Sequence, residues 1–173
     1  MSKSRSLQHI TDLAEQKGKK YCWVEAAELY EKALHVLGEG DFLRNGEIQE
    51  KIGFCLHRAA FQAESRDGFR QGIQRAIEAY DRAQRIYRER EGEQQARMLR
   101  ARALVSYLGY WLARNPSEKR KLLDECLELE KNALDAFLHL GNMLEYGRTY
   151  NDLSLAVWHR AFLEWDLRVT KRL

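Results

Sequence analysis

A nucleophile needs a base within hydrogen-bond reach, and the nearest such pair in this chain is Cys55 and His57. Two residues apart on a helix, their side chains leave on nearly opposite faces, so the pair is not expected to act together. None of His9, His35, His57, His139 and His159 follows a Glu by three residues, which excludes the Glu-x-x-His pairs of a di-iron helical bundle. The chain has no Cys-x-x-Cys, no His-Glu-x-x-His and no glycine loop of the phosphate-cradling type. No catalytic residue, metal ligand or cofactor is expected, and the chain reads as a non-enzyme.

Rings and guanidinium groups are the better candidates, because aromatic side chains give large contact area at low entropic cost and arginine pairs with carboxylates. At 100° per residue, Phe54, His57 and Arg58 share one helical face, Tyr107, Tyr110 and Arg114 a second, and Arg148, Asn151, Trp158 and His159 a third. Opposite them run the aliphatic stripes expected to pack: Ile48, Ile52, Cys55, Leu56, Ala59 and Ala63, then Leu104, Val105, Leu108, Trp111 and Leu112, then Leu153, Ala156, Val157, Leu163 and Leu167. The three outer faces suit an acidic or C-terminal peptide with hydrophobic anchors. Phe54, Tyr110 and Trp158 are the expected anchors, Arg58 and Arg114 the charge partners, and Asn151 a hold on the peptide backbone. The alternative is that these aromatics pack on one another as a second core layer.

The last helix is apolar on a second face as well, through Leu155, Trp158, Phe162, Trp165 and Val169. A terminal helix is expected to be polar outside, so this face predicts either a homodimer contact or continuation into a longer array of helices. Arg82, Arg85, Arg88, Arg90, Arg97, Arg100 and Arg102 crowd into one stretch whose acids are Glu89, Glu91 and Glu93. They point in several directions around their helices and have acids nearby, so a solvated face is expected over a site for RNA or another anionic ligand. The formal charge of +3 agrees with that.

The elements that carry these residues are all helices. The chain has 173 residues, 32% of them charged, 45% hydrophobic and only one a proline, and apolar residues recur every three to four positions. Seven helices are expected, at about 7–17, 21–37, 47–64, 69–91, 93–114, 117–140 and from 143 onward, with a loop at 39–46 and Ser117 as the cap of the sixth. No apolar leader opens the sequence, and the longest uncharged run, Ala103 to Ala113, falls far short of the roughly 20 residues that span a bilayer. Cys22, Cys55 and Cys126 are odd in number and widely spaced, as expected of reduced core thiols in a cytoplasmic protein.

Gly38, Gly92 and Gly141 divide the helices into pairs at intervals of about 50 residues. Within the pairs an aliphatic residue precedes a small one at Leu13-Ala14, Ile52-Gly53, Leu108-Gly109 and Leu153-Ser154, and Ala26, Tyr30 and Ala33 share their spacing with Ala76, Tyr80 and Ala83. This pattern resembles the tetratricopeptide repeat, most closely over residues 7–38, although the closing proline is missing, the later units are longer, and Cys126 and Glu130 replace the expected alanine and aromatic. The resemblance implies a single all-α domain over 1–173, a right-handed superhelix of antiparallel helix pairs with units at about 7–38, 47–92, 93–141 and an incomplete 143–173. It also implies a cytoplasmic scaffold or adaptor whose first helices line a concave groove for a protein partner. A structural, self-associating role is the second expectation.

Overall fold

A computed structural model describes residues 3–38 and 40–170, so Glu39 of the expected loop and the two ends of the expected 1–173 domain lie outside the described residues. Seven helices and no strand are found among the described residues: α1 (Lys3–Lys19), α2 (Trp23–Leu37), α3 (Phe42–Ala60), α4 (Arg66–Tyr87), α5 (Glu93–Leu112), α6 (Pro116–His139) and α7 (Met143–Thr170). Contacts divide the chain into two compact units, one ending at Tyr87 and one beginning at Arg88. In the first, α1 packs on α2, α2 on α3 and α3 on α4; in the second, α5 packs on α6 and α6 on α7.

Local chemistry sets the boundaries. Asp41 accepts a hydrogen bond from the Arg44 N–H at 3.0 Å and starts α3 at Phe42, five residues before the expected start. Gly46, expected in the loop, is therefore helical, and the reason lies in packing: a Cβ there would sit 2.6 Å from the buried ring of Tyr87. The same device recurs one and two heptads on, where Gly53 meets Tyr80 and Ala60 meets Gly72. Helix α4 stops at Tyr87 because Glu89 takes a positive φ of 66°, so Gly92 precedes α5 and does not close α4. Asn115, not Ser117, caps α6, accepting from the Glu118 N–H at 2.8 Å with Pro116 in the first turn.

The core of the first unit is small residues against rings. Ala14, Ala26, Tyr30 and Ala33 are buried in the α1–α2 pair, and Ile52, Gly53, Ala76, Tyr80 and Ala83 in the α3–α4 pair. The expected stripe of α3 holds at Ile48, Ile52, Cys55 and Leu56, but Ala60 replaces Ala59 and Ala63 is exposed beyond the helix end. In the second unit Ala96, Ala133 and Phe137 form a core cluster with Leu99, Ala136 and Tyr146 around it. Cys55 and Cys126 are buried thiols; Cys22 is only half-buried, because it precedes α2 at a helix end instead of facing the core.

Candidate functional site

In the first unit the outer face of α3 carries a compact aromatic and cationic cluster. The α1–α2 turn closes with the Tyr21 N–H donating to the Gly18 carbonyl and the Cys22 N–H to that of Lys17, and Tyr21 itself has a φ of 61°. Gly18 leaves room for the indole of Trp23, which would meet a Cβ there at 3.2 Å. Trp23 then meets Tyr21 and Phe54 edge-on, at ring separations of 5.9 and 5.5 Å. The Arg58 guanidinium lies 5.9 Å from the Trp23 ring and 5.8 Å from that of Phe54. Phe54 is 46% exposed, Arg58 is exposed, and among the described residues no carboxylate reaches ion-pair distance of Arg58. One turn further on, His57 meets Phe61 and Phe61 meets Phe69, edge-on at 5.4 and 5.3 Å. Burial, then the Arg58 charge, push the His57 imidazole down to about 4, so the ring is neutral at physiological pH.

In the second unit the expected binding residues separate into two groups. Tyr107, Tyr110 and His159 are buried, packed on one another and on Trp111. The His159 Nδ1 lies 2.8 Å from the Leu155 carbonyl oxygen and 3.3 Å from the Tyr107 hydroxyl, so its proton points to two acceptors. Burial pushes the Tyr107 phenol up to about 12. These three residues form the second core layer that was the alternative expectation. Helix α5 is buried on both sides as a result, through Ala103, Ser106, Tyr107 and Tyr110 as well as Leu104 and Leu108. By contrast Arg114, Arg148, Asn151 and Trp158 stay exposed.

The outer face of α7 is open. Leu155, Trp158, Phe162, Trp165 and Val169 are 43%, 61%, 48%, 60% and 39% exposed. Trp158 stacks on Phe162 at 5.6 Å and Phe162 leans on Trp165 at 5.8 Å, so the rings form one ribbon. Val157, expected in the packing stripe, is exposed, while Ala156 and Leu163 are buried as expected.

Sequence reasoning missed the most polar part of the interior. Arg97 and Arg100, expected on a solvated face, have side chains only 15% exposed and converge on Glu145, itself 4% exposed. Arg100 reaches both Glu145, at 2.6 Å, and Asp152, at 3.2 Å, and Arg148 adds a third guanidinium to Glu145 at 2.7 Å. Beside them Glu130 is fully buried, neither carboxyl oxygen finds a hydrogen-bond partner among the described residues, and burial, then Asp152, hold it well above the usual carboxylate range. Elsewhere in the arginine-rich stretch, Arg102 pairs with Glu125, Arg85 with Asp81, and Arg82 donates to Gln49. Among the described residues no group of three or more His, Cys, Asp and Glu side chains is placed to hold a metal, and no helix is long and apolar enough to cross a membrane.

No family model matches this chain, and no curated protein resembles it significantly. The chain's own residues offer two exposed surfaces with recognisable chemistry, one in each unit: the Trp23, Phe54 and Arg58 cluster, and the ribbon on α7.

Proposed function

We propose that the chain is a non-catalytic interaction module of the tetratricopeptide-like kind, a cytoplasmic scaffold or adaptor that holds an acidic peptide or partner helix. The observation that carries this reading is the Arg58 guanidinium, which lies over the rings of Trp23 and Phe54 at the surface with no carboxylate at ion-pair distance among the described residues. A guanidinium resting against two rings is partly restricted already, so a partner carboxylate gains a charge-assisted pair at reduced entropic cost. The half-exposed Phe54 beside it supplies an apolar anchor. Lys19 and Lys20 are exposed near the same turn and add to its attraction for acidic partners.

The repeat reading is supported within the first unit, where Ala14 with Ala26, Tyr30 and Ala33, and Gly53 with Ala76, Tyr80 and Ala83, fill equivalent buried positions in successive helix pairs. Capture of lysate proteins on the immobilised chain, compared with Phe54→Ala and Arg58→Glu variants whose helical content and melting are unchanged, tests the site. Loss of a discrete, nuclease-resistant partner in both variants is the expected result. Undiminished capture by both would overturn the assignment of this surface.

A further inference from the structure

On α7 the exposed residues Leu155, Trp158, Phe162, Trp165 and Val169 are spaced alternately by three and four, the seam of a two-stranded coiled coil. Extended toward the start of the helix, the same series passes through the exposed Asn151 and Arg148. Beside the seam run Gly147, Ser154 and Ala161, seven residues apart and all exposed. The other flank, through Glu145, Asp152 and His159, is already engaged within the second unit. A helix approaching α7 is thus directed to one side, where small residues let the backbones come close.

We propose that this face pairs with the same face of a second copy of the chain, as an antiparallel two-fold coiled coil centred between Trp158 and Phe162. Three observations select that occupant. The first is size: three half-exposed rings with Leu155 and Val169 present on the order of 600 Å² of apolar surface, so two copies cover on the order of 1,200 Å², the lower bound for a specific interface before its polar rim is counted. The second is self-complementarity, which an isologous contact requires. In this register Phe162 meets Trp158 of the other copy, Leu155 meets its Trp165 and Val169 its Asn151, so each layer sets a larger group against a different or smaller one. The third is ring packing. A parallel in-register pair would stack tryptophan on tryptophan in two layers, at 158 and 165, whereas the antiparallel pair sets each tryptophan against Phe162 or Leu155.

This inference concerns a surface separate from the Arg58 cluster and stands without it. The full chain, in a Cys22→Ser background, is followed by sedimentation equilibrium from low to high micromolar concentration. A monomer–dimer equilibrium is expected, weakened about thirtyfold or more by Trp158→Asp and by Trp165→Asp with no change in helical content, the size of effect seen at interface hot spots. Orientation is read by cysteine pairing. Ser154→Cys mixed with Arg168→Cys should form a mixed disulfide under mild oxidation, while Ser154→Cys alone should not. A monomer at every concentration, a dimer indifferent to both tryptophan variants, or efficient cross-linking of Ser154→Cys to itself would each overturn the proposal. Monomers would then leave the face to a foreign helix or a following segment.

Discussion

The Cα of Gly53 lies directly against the ring of Tyr80, so close that a Cβ on it would sit 2.9 Å from Cδ2 and Cε2. Tyr80 is 3% exposed, so the ring has nowhere to retreat. Alanine would improve helix propensity at this position by about 1 kcal/mol, but overpacking a closed contact costs about 1–3 kcal/mol. Gly53→Ala should therefore destabilise the first unit, and Tyr80→Leu in the same molecule should restore part of the loss. Gly147, with nothing within 4 Å of its missing Cβ, should respond with the opposite sign, gaining about 0.5–1 kcal/mol as alanine. Urea unfolding midpoints of the three variants check both signs.

A second expectation follows from Glu145. Its carboxylate takes Arg100 at 2.6 Å, Arg148 at 2.7 Å and Arg97 at 3.5 Å, and its backbone N–H donates to the Asn142 side chain that caps α7. Glu145→Gln keeps the shape and removes the charge, leaving two largely buried guanidinium groups with one fewer counter-ion. Breaking a buried pair from one side costs about 3–5 kcal/mol. Arg148→Ala, whose side chain is 56% exposed, should cost less than about 1 kcal/mol. Thermal melts in low and high salt should show the first loss at both ionic strengths, because buried pairs are poorly screened.

How much of this was legible follows from the range of the interactions. Seven amphipathic helices can be read from local periodicity, and Gly38, Gly92 and Gly141 do sit at positive φ in their turns. Gly46 misled because a glycine beside a loop looks like loop, while its reason for being glycine is a tyrosine 41 residues on, packed across from it in α4. The faces of α5 failed similarly: Tyr107 and Tyr110 fall opposite the aliphatic stripe, yet His159, 52 residues from Tyr107, closes over them. Arg100 and its acids are separated by 45 and 52 residues, so a run of arginines looked solvated. By contrast the exposed ribbon of α7 and the Phe54 and Arg58 pair are each carried by one helix, and one helix is what periodicity resolves.

His57 offers a check on the surface cluster by pH. Burial and then Arg58 hold the imidazole near 4, against an ordinary value of 6.5. Between those values the unfolded chain takes up a proton that the folded chain refuses, so stability should fall as pH drops from 6.5 through about 4. The NMR titration of the His57 ring should show a midpoint near 4 in the native chain. It should move upward in Arg58→Ala, since the guanidinium is the second cause of the shift. A native midpoint near 6.5 would mean that the ring is not buried.

The strongest pH effect should come from Glu130. Its carboxyl is enclosed by three helices: α5 contributes Arg100, α7 contributes Asp152, and α6 contributes Cys126 from its own preceding turn. Arg100 is already divided between Glu145 and Asp152, so it offsets a charge on Glu130 only in part. Desolvation therefore favours its protonated form, and with Glu130 neutral the largely buried Arg97 and Arg100 face the two carboxyl groups of Glu145 and Asp152. An unfolded glutamate loses its proton near 4.5 while the folded one holds it to higher pH, so above 4.5 the unfolded state binds fewer protons and stability declines as pH rises. Glu130→Gln should flatten that decline, although its amide remains without partners. Glu130→Leu should flatten it and also remove the unsatisfied oxygens, leaving the second unit more stable by about 1–3 kcal/mol at pH 7. Denaturant unfolding of all three proteins from pH 5 to pH 9 separates the two effects, and an undiminished slope in Glu130→Gln would place the titrating group elsewhere.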